Sequence, residues 1–137
     1  MQRLFDIYEE LYGMGVKLYN SGIEYAKSLT IELNGRYAIF IEASAIESMA
    51  EEACIIAHEA GHITTGATHY ISSPFDLIEK HEHKAFAYSV IRLVPKAELD
   101  QAVRRGLSEV WQLADYFNLP EEFMANAIEY YKITSGV

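Results

Sequence analysis

The stretch ACIIAHEAGHITTGATHY, residues 53–70, decides how this chain is read. It carries His58, Glu59 and His62 in the order H-E-x-x-H, behind an apolar run. Residues four apart on an α-helix lie one above the other, so both imidazoles can reach a single metal ion. Two neutral ring nitrogens suit zinc. Glu59 stands about 100° round the helix from His58. It can therefore flank the ion without binding it, where a carboxylate serves as general base toward water. Ala60 and Gly61 keep the helix slim here and let another backbone approach. The bland alternative is a pair of core or surface histidines that happen to share this spacing. The position of the glutamate and the helical context argue against it.

That context is built by the flanking residues. Ser44-Ala-Ile-Glu47 matches the capping box S-x-x-E, in which the two side chains satisfy the first free N–H groups of a helix. The helix so opened is expected to run through the H-E-x-x-H motif to Gly66, a left-handed terminator. Before it, SLTIEL and RYAIFIE read as two short strands joined by Asn34-Gly35, the preferred pair for a type I′ turn. A hairpin over residues 27–42 follows; its 36–42 strand is expected to offer the sheet edge beside the motif helix, the alternative being a core strand with one covered face. Upstream, Leu4, Ile7, Tyr8, Leu11, Tyr12 and Leu18 predict an amphipathic helix over residues 4–19, weakened at Gly13 and Gly15.

Downstream, Ser73-Pro-Phe-Asp76 is a helix start signal, with Ser as cap and Pro in the first turn. The helix it opens carries FDLIEKHEHKAFAYSVIRLV and stops before Pro95. Three shorter helices are expected in KAELDQAVRRGL, SEVWQLADYFNL and PEEFMANAIEYYK. Trp111, Leu113 and Phe117 are expected to form the core of these C-terminal helices.

A catalytic zinc keeps three protein ligands and one open position. The candidates for the third are His69, His81, Glu82 and His83. His69 falls one residue too late for the H-E-x-x-H-x-x-G-x-x-H spacing, as does Gly66. Glu82 is favoured, because the helix that carries it can fold back antiparallel to the motif helix after a short turn. His81 and His83 are left as hydrogen-bond partners of the site, oxyanion donors or surface residues. Cys54, one turn before His58, reads as a small core residue. Tyr70 and Tyr88 lie near enough in sequence to donate to an oxyanion, but tyrosines more often pack at a boundary.

Composition sets the wider limits. With 137 residues, half of them apolar, the chain has the make-up of one folded domain. A formal net charge of −9, spread along the sequence, argues against direct nucleic-acid binding, which needs a basic face. The lone cysteine excludes an internal disulfide framework and suits a reducing compartment. MQRLFDIYEELYGMG lacks the apolar core of a signal peptide, and no run is long enough for a membrane span. A soluble cytoplasmic protein is the expectation.

HEAGHITTGA, SPFDLIEKHEHKAFAYSVIRLVP and ELDQAVRRGLSEVWQLADYFNLPEEFMANAI together resemble the ImmA/IrrE family of metallopeptidases, in the short form of phages and mobile elements. The resemblance spans residues 30–131. It implies that the third ligand is the Glu of an E-x-x-A segment leading to a Pro, here Glu82-His-Lys-Ala85 and Pro95. One departure is Phe86, where many relatives carry Asp or Asn. The resemblance further implies an anti-repressor that cleaves a helix-turn-helix transcriptional repressor. The whole reading is an α+β, mostly helical zincin-like domain with one hairpin before the motif helix. His58, His62 and Glu82 would hold Zn2+ and Glu59 would activate water. The rival reading is a non-catalytic module of the same fold that sequesters a repressor.

Overall fold

The computed structural model describes residues 2–20, 26–66 and 75–134. Within them the chain runs α1 (Gln2–Gly13), β1 (Lys17–Asn20), β2 (Ser28–Leu33), β3 (Arg36–Ile41), α2 (Met49–Thr64), α3 (Phe75–Leu93), α4 (Lys96–Arg104), α5 (Val110–Phe117) and α6 (Glu121–Thr134). A short 3-10 turn, Ala43–Ala45, precedes α2. This is a mostly helical α+β fold, as the sequence predicts. Among the described residues no helix is long and apolar enough to cross a membrane.

The hairpin forms where Asn34-Gly35 places it. Both turn residues have positive φ, 54° and 78°, as a type I′ turn demands. Its ladder runs from Leu33↔Arg36 to Ser28↔Ile41 and is extended by a bond from Glu42 N–H to the Lys27 carbonyl. Two expectations fail here. The helix foreseen over residues 4–19 ends at Gly13, the chain turns at Gly15 with φ 78°, and Leu18 lies in a strand. That strand, β1, pairs parallel with β3, so the sheet order is β1-β3-β2. Consequently β3 is the central strand, hydrogen-bonded on both sides, and cannot offer a free edge. The edge beside the motif helix belongs to β2.

The start of α2 also differs from the expected position. The chain contains S-x-x-E twice in succession, and the second copy is the one used. Ser48 is the N-cap and accepts from Glu51 N–H at 3.1 Å, while the Glu51 carboxylate accepts from Glu47 N–H at 3.0 Å. Residues 43–45 instead form the 3-10 turn that brings the chain out of β3. At the other end Thr65 caps the helix and Gly66 is left-handed at φ 68°, as foreseen. Ser73 and Pro74, named as the start of α3, lie outside the described residues, but that helix does end before Pro95.

Helix α2 is the centre of the molecule. Its Ala53, Ile56, Ala57, Ala60 and Ile63 are buried against Leu4, Ile7 and Leu11 of α1, Ile39 of β3 and Val90 and Leu93 of α3. Polar ties fasten the layers at the rim: Tyr8 to Glu52, Arg92 to Glu10, and the Tyr131 hydroxyl to the Val94 carbonyl at 2.6 Å. In α5 the inward stripe is Val110, Leu113, Ala114 and Phe117, spaced at helical intervals. Trp111 falls off that stripe and is 56% exposed, so it does not join the core as expected.

Helices α2 and α3 approach closely at Gly61. A β-carbon there would lie 2.7 Å from the Ala85 carbonyl oxygen and 2.9 Å from its Cα. Both atoms are backbone and cannot turn aside. Gly61→Ala is therefore expected to cost about 1–3 kcal/mol by overpacking, read as a lower midpoint in chemical denaturation. An unchanged midpoint would show that α3 yields freely at this contact.

Candidate metal and catalytic site

Two facing helices bring together three of the residues singled out from the sequence. His58 and His62 project from α2, their rings 4.9 Å apart and nearly perpendicular, with an interplanar angle of 81°. Glu82 projects from α3 between them. His58 Nε2 lies 2.7 Å from Glu82 Oε2, and His62 Nε2 lies 3.0 Å from Glu82 Oε1. One ligand atom from each of the three residues lies within 4.8 Å of the others. The Gly61–Ala85 contact explains the reach. Ala85 is three residues after Glu82, so pressing Ala85 onto α2 carries the carboxylate one turn along to the two imidazoles.

The donor set fits a divalent ion. Two imidazole nitrogens and one carboxylate make an open three-ligand site of the kind zinc uses for hydrolysis. The pair of imidazoles, hydrogen-bonded first from His58 and then from His62, holds the Glu82 carboxyl well below the usual carboxylate range despite partial burial. It is therefore anionic at any working pH, as a ligand must be. His62 is buried, whereas His58 is half-buried and Glu82 exposed, so the cluster opens to solvent on one side. Neither His81 nor His83 joins it, and Cys54 does not either. His69 and Tyr70 lie outside the described residues. Tyr88 packs against the core.

Glu59 occupies a different setting. It is only 7% exposed, on the side of α2 that meets the sheet. There the Ser28 hydroxyl donates to one of its carboxylate oxygens and the Thr30 hydroxyl to the other. Ser28 and Thr30 are two apart on β2 and so share a face, which by the register is also that of Ile39 and Ile41. These hydroxyls were not foreseen from the sequence. SLTIEL alternates polar and apolar, and the ordinary assumption turns Leu29 and Ile31 inward. The structure does the reverse, leaving Ile31 exposed and turning Ser28 and Thr30 toward the motif helix. A polar strand face aimed at the core needs a polar partner, and Glu59 is that partner.

The fold and this cluster define a mostly helical α+β domain in which three potential metal ligands converge from two helices. Residues 14–129 match the IrrE N-terminal-like domain, a peptidase family. The chain belongs to that family. No curated protein and no solved structure matches it.

Phe86, the departure noted in the sequence, packs edge-to-face against Phe123 at 6.0 Å and Tyr130 at 6.3 Å. It adds an apolar wall next to His58.

If the two hydroxyls hold Glu59 as drawn, removing them and neutralising Glu59 cannot have independent effects on stability. A cycle built from Glu59→Gln and the Ser28→Ala/Thr30→Val pair is expected to return a coupling of about 0.5–3 kcal/mol. Effects that add to within about 0.5 kcal/mol would contradict the contact.

Proposed function

We propose that the protein is a zinc metalloendopeptidase in which His58, His62 and Glu82 hold the ion and Glu59 is the general base. The observation that carries this reading is the convergence of one helix's H-E-x-x-H pair and a second helix's carboxylate on one point. Membership of a peptidase family supports it independently. When bound, a zinc ion supplies Lewis acidity, making water nucleophilic near neutral pH and polarising the scissile carbonyl.

The chain's own residues would do the rest. His58 and His62 would hold the ion, and Glu82 would neutralise part of its charge. Glu59, adjacent to His58 on the helix, takes the proton from the attacking water and returns it to the leaving amine. Its two hydroxyl partners restrain the carboxylate while that proton is moved. Among the described residues β2 pairs only with β3, so its outer edge can add an extended substrate strand. Ser28 and Thr30 sit on that same strand, which sets the substrate backbone next to the base.

The substrate we infer is a specific regulatory protein, a helix-turn-helix repressor of a phage or mobile element, making the enzyme an anti-repressor. The formal net charge of −9 suits a protein partner better than DNA. The lone Cys54 is consistent with a reducing, cytoplasmic setting. The rival, a binder that sequesters the repressor without cutting it, has no use for a buried carboxylate held by two hydroxyls.

One substitution separates the two. Zinc-loaded protein incubated with the repressor encoded beside its gene is expected to give discrete fragments by mass spectrometry. Glu59→Gln should keep its zinc and lose cleavage by about 100-fold or more. A Glu59→Gln protein that still relieves repression in cells would favour the binder.

A further inference from the structure

A cavity of about 310 Å³ opens directly beside His58. Its walls come from four elements: Ser28 of β2, Cys54 and Ile55 of α2, Phe86 and Ser89 of α3, and Phe123 of α6. At that volume it lies at the small end of ligand clefts, suited to a single side chain. Because His58 and Ser28 belong both to this wall and to the metal and Glu59 surroundings, the cavity is continuous with the reaction centre.

The chemistry of the walls decides what can enter. Among the described residues, no Asp, Glu, Lys or Arg lines the cavity. Both serine hydroxyls are already committed: Ser89 Oγ donates to the Phe86 carbonyl at 2.7 Å, and Ser28 Oγ donates to Glu59. Burial pushes the Cys54 thiol up to about 12, so it stays neutral. Phe86 is held in place edge-to-face by Phe123 and Tyr130, which makes the far wall rigid and aromatic. A charged side chain entering here would give up its hydration and find no Asp, Glu, Lys or Arg among the described lining residues to compensate it. An apolar one loses nothing and gains burial.

Building on the peptidase reading, we propose that this cavity is a specificity pocket that receives a leucine-, methionine- or phenylalanine-sized side chain of the residue flanking the scissile bond. The preferred cleavage site in the substrate is then marked by one large apolar residue, held next to His58 while the backbone lies along β2. Phe86 and Phe123 supply the aromatic wall of the pocket, Cys54 and Ile55 line it from α2, and His58 joins it to the candidate ligand set.

The test uses the zinc-loaded full chain and a set of peptide hydroxamates. These grip the metal alike and differ only in the side chain beside it: glycine, leucine, phenylalanine or aspartate. Calorimetric titration is expected to find the leucine and phenylalanine compounds about tenfold or more tighter than the glycine compound, and the aspartate compound no tighter. Cys54→Trp, which fills the cavity, should shrink the leucine advantage to about twofold or less at unchanged zinc content. Should that variant fail to fold, Phe86→Ala opens the wall and is expected to weaken the leucine compound selectively. A flat series on wild-type protein with full zinc would overturn the pocket and leave the peptidase reading standing. So would a leucine preference that survives both variants. Failure to take up zinc at all would overturn the peptidase reading, and this inference with it.

Discussion

The backbone of α2 at Gly61 lies against the Ala85 carbonyl of α3 with no room for a β-carbon between them. Most of what is distinctive in this molecule depends on that approach. It sets how near the two helices come, and therefore whether a carboxylate three residues before Ala85 reaches imidazoles on the opposite helix. Ala85 is fully buried and Gly61 nearly so, which leaves the contact no slack. A cluster of two histidines and a glutamate costs hydration to assemble, and the helix packing holds it together.

The same helix separates two carboxylates by environment. Glu82 is exposed and sits between two imidazoles, which keep it anionic. Glu59 is buried and meets two hydroxyl donors from β2. Side chains of similar chemistry are thus fitted to different tasks, ligation for one and proton transfer for the other, on the assignment proposed above. The sheet takes part through its face as well as its edge. Strand β2 offers hydroxyls inward to Glu59 and, among the described residues, an unpaired edge outward, so on the proposed reading a substrate docking on it would lie against the element that restrains the base.

Much of this was legible in the sequence, because the signals were local. His58, Glu59 and His62 follow from helical spacing alone, Asn34-Gly35 from the φ values its turn requires, and the end of α3 from Pro95. The pairing of Glu82 with the histidines needed only an antiparallel return of the next helix. What escaped was set by long-range packing. Leu18 fits a helical pattern as well as a strand, and the parallel partner that claims it in β3 is more than fifteen residues away. Two successive S-x-x-E boxes compete for the start of α2, and the exit of the chain from β3 decides between them. Ser28 and Thr30 were hidden because alternation marks the two faces of a strand without saying which face turns inward. Strand β3, apolar on both faces, did not break the tie. Trp111 was assigned to the core on size, whereas the α5 stripe of Val110, Leu113, Ala114 and Phe117 excludes it.

The central claim is that His58, His62 and Glu82 bind one metal ion. Elemental analysis of the purified protein, alongside Glu82→Ala and His69→Ala, tests it most directly. The account predicts about one zinc per chain, lost in Glu82→Ala and retained in His69→Ala. Zinc that stays with Glu82→Ala, or a wild-type protein that takes up none after reconstitution, would contradict it.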